Sequence, residues 1–86
     1  MSTPALPPLP DDPIALRAGV AALLDVDPAT LSDDTDLVEA GLDSIRVMAL
    51  AERWSADGVQ IGFMDLAEEP TLAAWWSVVA DARAAS

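Results

Sequence analysis

The sequence contains no cysteine, no histidine, no lysine and no tyrosine. Those absences remove thiol and imidazole nucleophiles, Schiff-base lysines and the commonest general base, together with the usual zinc ligands. Carboxylates and hydroxyls remain, so catalysis is not impossible, but an enzyme acting alone ranks last among the readings. Positive charge is also scarce: four arginines face fifteen acidic residues, for a net charge of −11. Nucleic acid and anionic membranes both require cationic contacts, which excludes them as expected partners. The acidity either keeps a small domain soluble or suits it to a basic protein surface. No apolar run approaches the ~20 residues of a membrane span, and the N-terminus lacks the basic stretch and apolar core of a secretory signal. A cytoplasmic protein is the expectation.

The 86 residues suffice for one compact domain, and an apolar fraction of 52% argues against disorder. Residues 1–13, MSTPALPPLPDDP, hold five of the seven prolines. The first eleven read as a flexible, passive leader, the domain proper occupies 12–83, and 84–86 form a short tail. Met1 and this leader lean towards a free-standing chain.

Helix signals follow. Asp11 or Asp12 can cap a first helix, with Pro13 suited to its first position. Leu16, Val20, Leu23 and Leu24 then form one apolar stripe. Gly19 interrupts it, at about 1 kcal/mol relative to Ala, and would allow a close helix crossing. Residues 25–43, DVDPATLSDDTDLVEAGLD, form a long acidic connection with one short helical turn closed by Gly41. Leu31, Leu37, Val38 and Leu42 are expected to pin it to the core. A second helix runs from Ser44 to Ala56, capped by Asp43 and stopped by Gly58. Val47, Leu50, Ala51 and Trp54 form its core stripe, while Ile45, Met48 and Ala49 are either extra core or an exposed contact surface. VQIGF at 59–63 alternates like a strand but has nothing to pair with, so it reads as an extended loop into a short helix over Phe63–Glu68. A fourth helix follows Pro70 with Thr71 as cap, burying Leu72, Trp75, Trp76 and Val79. The expected fold is all-α: a four-helix bundle of three longer helices and one short one, with a long loop between the first and second.

Gly41-Leu42-Asp43-Ser44-Ile45 is the stretch with chemical content. It puts a serine at a helix start, where backbone N–H groups lack partners and the helix dipole is positive, so a phosphate on Ser44 would be well placed. Simple helix capping by Asp43 or Ser44 is the plain alternative. A calcium loop fails on spacing, since neither Asp25-Val-Asp27 nor Asp33-Asp34-Thr35-Asp36 matches the required ligand pattern.

The wider segment DLVEAGLDSIRVMAL resembles the attachment motif of phosphopantetheine-dependent carrier proteins. The closer resemblance is to aryl carrier proteins of non-ribosomal peptide and siderophore assembly. It rests on Ile45-Arg46-Val47-Met48, on Ala49-Leu50-Ala51-Glu52-Arg53-Trp54 and on Pro70-Thr71-Leu72-Ala73-Ala74-Trp75-Trp76, and spans about residues 12–83. The resemblance implies that 4'-phosphopantetheine is joined covalently to Ser44 by a phosphopantetheinyl transferase using coenzyme A and magnesium, with Asp43 in support. It also implies loading of the arm with an aryl or amino acid by an adenylating enzyme and unloading by a condensation enzyme. The carrier itself would be a monomer and a substrate of its partners, with no catalytic residue and no resident metal. Ile45, Arg46, Met48, Phe63 and Met64 match regions that such carriers present to partners, although core packing is open for all but the polar Arg46. Arg46, where fatty-acid and many polyketide carriers tend to be acidic, favours the aryl or peptidyl class; it is also compatible with a solvated residue pairing with a nearby acid. A polyketide acyl carrier and an unmodified acidic interaction module are the alternatives.

Overall fold

The computed structural model describes residues 6–85. Four α-helices follow one another: α1 (Pro13–Leu24), α2 (Ser44–Ala56), α3 (Phe63–Ala67) and α4 (Leu72–Ala85). A single 3-10 turn, Pro28–Thr30, sits in the long connection, and no strand occurs among the described residues. The expected all-α bundle with one short helix is therefore observed.

The boundaries have local causes. The Asp12 carboxylate accepts the Ala15 N–H at 2.7 Å, with Pro13 in the first turn where its missing N–H costs nothing. The helix ends at Asp25 in the left-handed region (φ 59°), where the Asp25 and Val26 N–H groups close onto the Ala22 and Ala21 carbonyls. Asp27 caps the 3-10 turn by accepting the Ala29 N–H at 2.9 Å. The α2 helix stops at Gly58, whose φ of 113° suits glycine alone. Ser55 Oγ then donates to the Ile61 carbonyl at 2.9 Å, which holds the extended segment while Val59 and Ile61 bury their side chains. Thr71 Oγ1 accepts the Ala74 N–H at 3.2 Å at the start of α4.

Leu16, Val20 and Leu23 of α1, Leu50 and Trp54 of α2, Leu66 of α3, and Leu72, Trp75 and Val79 of α4 meet in one core. Trp54 and Trp75 stand edge to face with centroids 6.0 Å apart, each fully buried. The Trp75 indole N–H donates to the Leu66 carbonyl at 2.8 Å, so the ring is buried without an orphaned donor.

Four expectations are corrected. Val38 is not core: it is 54% exposed, whereas Leu31, Leu37 and Leu42 are buried. Leu37 and Val38 are neighbours in a single helical turn, about 100° apart, and the turn directs Leu37 to the core and Val38 to solvent. Leu24 and Trp76 are partly buried, flanking the core without entering it. Gly19 faces no helix; a Cβ built there would lie 2.7 Å from Pro7 Cβ. The expected passive leader is in fact bonded to the bundle over residues 6–11, while residues 1–5 of it lie outside the described residues.

Candidate functional site

The long connection is pinned before it reaches α2. The Leu37 N–H donates to the Pro70 carbonyl at 2.8 Å and the Ala73 N–H donates to the Asp33 carbonyl at 3.1 Å, which ties the loop to the start of α4. The Asp36 carboxylate accepts the N–H groups of Val38 and Glu39, forming a capped turn. Gly41, at φ 122°, ends that turn, and the Leu42 N–H closes back onto the Leu37 carbonyl at 2.9 Å. With Leu37 and Leu42 buried, the chain enters α2 on a fixed path.

Asp43 is the N-cap. It is extended (φ −120°, ψ 170°), its carboxylate accepts the Arg46 N–H at 2.9 Å, and its carbonyl accepts the Val47 N–H at 3.0 Å. The capping role is therefore filled by Asp43 and leaves Ser44 without it. Ser44 is the first helical residue and is exposed, and among the described residues its hydroxyl has no hydrogen-bond partner. The Ser44 and Ile45 amides lie in the first turn, where helices have no internal acceptor to offer them. An unpartnered hydroxyl beside free amide donors at the positive end of a 13-residue helix fits a covalently attached phosphate ester.

The surroundings are apolar and exposed. Ile45 is 79%, Met48 51% and Met64 61% exposed, so the core alternative is set aside for these three. Phe63 is partly buried, packed against the core. It lines a groove of about 340 Å³ together with Val38, Leu42, Asp43, Ser44, Val47, Ala67 and Pro70. It also lines a second groove with Met48, Ala51, Glu52, Ser55, Ile61 and Gly62. The fold thus brings Asp43, Ser44 and Phe63 to one groove, with Ile45, Met48 and Met64 on the same two helices. Arg46 stands apart. Its guanidinium turns to α1, where Nη1 donates to the Leu23 carbonyl at 3.4 Å, and it pairs with no carboxylate among the described residues. Val38, expected in the core, instead lines the Ser44 groove from the loop.

The described bundle is all-helical and presents an exposed serine hydroxyl at a helix start, in a sequence with no histidine, lysine or cysteine. Residues 15–77 match the family described as Phosphopantetheine attachment site. The chain belongs to that family, whose members carry 4'-phosphopantetheine covalently. Among curated proteins it is similar to phenyloxazoline synthase MbtB of Mycobacterium sp. (strain MCS), 44% identical over 71 residues, which are 83% of this chain and 6% of that protein. It is also similar to isochorismatase of Bacillus subtilis (strain 168), 42% identical over 60 residues, 70% of this chain and 19% of the relative. Enterobactin synthase component B of Escherichia coli (strain K12) is 43% identical over 72 residues, 84% of this chain and 25% of the relative. The chain therefore spans a quarter or less of these three proteins. No helix among the described residues is long and apolar enough to cross a membrane.

Proposed function

We propose that the domain is an aryl carrier: phosphopantetheine is attached at Ser44, and an aryl or amino acid is held there during non-ribosomal peptide or siderophore assembly. The observation that carries this reading is the exposed, unpartnered Ser44 hydroxyl at the first position of α2, within the family match. The names of the relatives, an enterobactin synthase component and a phenyloxazoline synthase among them, support the class of pathway. Arg46, two residues after the serine, supports the aryl or peptidyl class over a polyketide carrier.

Once attached, the group supplies a terminal thiol on a flexible arm, the function that a chain without cysteine cannot provide itself. The chain's own residues position and present. Asp43 caps α2 and fixes where the Ser44 hydroxyl stands, and its carboxylate is available to a transferase that handles coenzyme A with magnesium. The first-turn amides favour negative charge at the serine. No histidine or lysine is present to take the Ser44 proton, so the transferase must supply the base. The domain is a substrate of its partners, has no catalytic activity, and works as a cytoplasmic monomer. Ile45, Met48, Phe63 and Met64, with Val38 added from the loop, form the surface offered to the transferase, the adenylating enzyme and the condensation enzyme; unbranched Met suits successive partners. Arg46 contributes to that surface only from its edge.

The test is intact mass after incubation with coenzyme A, magnesium and a broad-specificity phosphopantetheinyl transferase, beside Ser44→Ala. A gain of one phosphopantetheine by the unaltered chain alone is expected, after which aryl and amino acids are compared as cargo. No gain by either chain, with a working positive control, favours the unmodified acidic interaction module.

A further inference from the structure

Residues 6–11 have no regular secondary structure, yet they are bonded along their length. The Trp54 indole N–H donates to the Pro7 carbonyl at 3.1 Å, and the Leu9 N–H donates to Asp57 Oδ2 at 3.0 Å. Arg83 Nη2 donates to the Pro10 carbonyl at 2.9 Å and to Asp11 Oδ1 at 3.0 Å. Pro10 is buried, and Leu6 and Leu9 pack against the core. These bonds reach the C-terminal part of α2, its capping residue, and the last turns of α4.

A separate observation comes from α1. Glycine is the poorest helix former after proline, so Gly19 in the middle of a 12-residue helix needs a reason. Any Cβ at that position would meet Pro7 Cβ at 2.7 Å and Pro7 Cγ at 3.3 Å, closer than packed carbon atoms approach. The helix is glycine where the leader crosses it. Prolines suit such a crossing, because an extended proline-rich segment loses little conformational freedom on docking.

We infer that residues 6–11 are a strap integral to the folded domain, seated across Gly19 of α1 and closing the bundle at the end of α2 away from Ser44. Trp54 lies ten residues along α2 from Ser44, about 15 Å at the helical rise. The strap therefore steadies the helix that carries the serine without covering the serine itself. It is independent of whether Ser44 is modified.

The experiment is a double-mutant cycle in the full chain, read by thermal unfolding and by the indole N–H resonances of Trp54 and Trp75. At an ordinary helix position Gly→Ala raises Tm, by roughly 4–8 °C for a domain of this size. Here Gly19→Ala is expected to lower Tm and to move the Trp54 resonance while Trp75 stays in place. Pro7→Gly removes the side chain that a Cβ at 19 would strike, so in that background Gly19→Ala is expected to raise Tm. An unchanged or raised Tm for Gly19→Ala alone overturns the strap. A fall in both backgrounds, or a Trp54 resonance that does not move, overturns it as well.

Discussion

The two ends of α2 are built in opposite ways. At the far end, Trp54 and Asp57 hold the leader by two hydrogen bonds, and Arg53 pairs with Asp57 at 3.2 Å. At the near end, Ser44 has no partner among the described residues, Ile45 and Met48 stand in solvent, and the only side-chain bonds of the first turn are the Asp43 cap and the Arg46 contact to α1. Interactions at the far end stabilise the fold; at the near end Ser44, Ile45 and Met48 are left exposed and available. A residue's contribution to stability and its contribution to recognition should therefore separate along one helix.

The sharpest test of that separation lies in the core. Trp75→Ala deletes a fully buried ring, its edge-to-face contact with Trp54 and the bond to Leu66. A loss of about 3–5 kcal/mol is expected in denaturant titrations, enough to leave a domain of this size close to unfolded. Ser44→Ala is expected to change stability by no more than about 0.5 kcal/mol while abolishing modification. A large loss from Ser44→Ala would break the comparison at its centre.

Asp43 sits between the two regimes, because it both caps α2 and adjoins the serine. Asp43→Ala is expected to cost about 1 kcal/mol of unfolding free energy, and Asp43→Asn much less, since Asn caps equally well. If both substitutions slow phosphopantetheinyl transfer alike, the carboxylate charge is used by the transferase. If only Ala does, capping is its whole contribution.

Val38 and Ile45 sharpen the comparison from the exposed side. Val38→Ser and Ile45→Ser are expected to leave stability within about 0.5 kcal/mol. Each is expected to lower kcat/KM for phosphopantetheinyl transfer about fivefold, the loss for one interface contact worth ~1 kcal/mol. Unchanged kinetics for both would remove the apolar ring from the docking surface.

Much of this contrast was legible in residue order, and the parts that were not share a cause. Asp12-Pro13, Asp43, Gly58 and Pro70-Thr71 mark helix ends by chemistry that acts within four residues, and the structure has its helix ends there. Ser44 stood out for the same reason. The strap did not, because its partners lie 47, 48 and 73 residues away and no local spacing links the Trp54 indole, Asp57 or Arg83 to the leader. Arg46 was read against nearby acids, whereas its acceptor is a carbonyl at the end of α1, supplied by tertiary packing. Val38 is apolar like its buried neighbour Leu37, and which of the two faces the core is set by how the loop is pinned to the start of α4, again a tertiary matter.

The smallest expected effect concerns Asp57, where the strap meets α2. The Leu9 N–H bonded to its carboxylate, aided by Arg53, holds Asp57 below its ordinary value of 3.8, against a desolvation that acts the other way. The unfolded chain therefore binds this proton more readily than the folded one. Stability from this group is complete above the ordinary value and is lost as pH falls through the lower folded one. Fourteen other carboxylates titrate in the same range, so the quantity to follow is the difference between the unaltered chain and Asp57→Asn. Asn still accepts the Leu9 N–H but carries no charge and cannot titrate. The unaltered chain is expected to be slightly the more stable at neutral pH, with the gap closing as Asp57 protonates and the Leu9 amide resonance moving over the same interval. A gap that stays constant with pH would mean that Asp57 holds the strap as a neutral acceptor does, and the far end of α2 would then owe its order to packing alone.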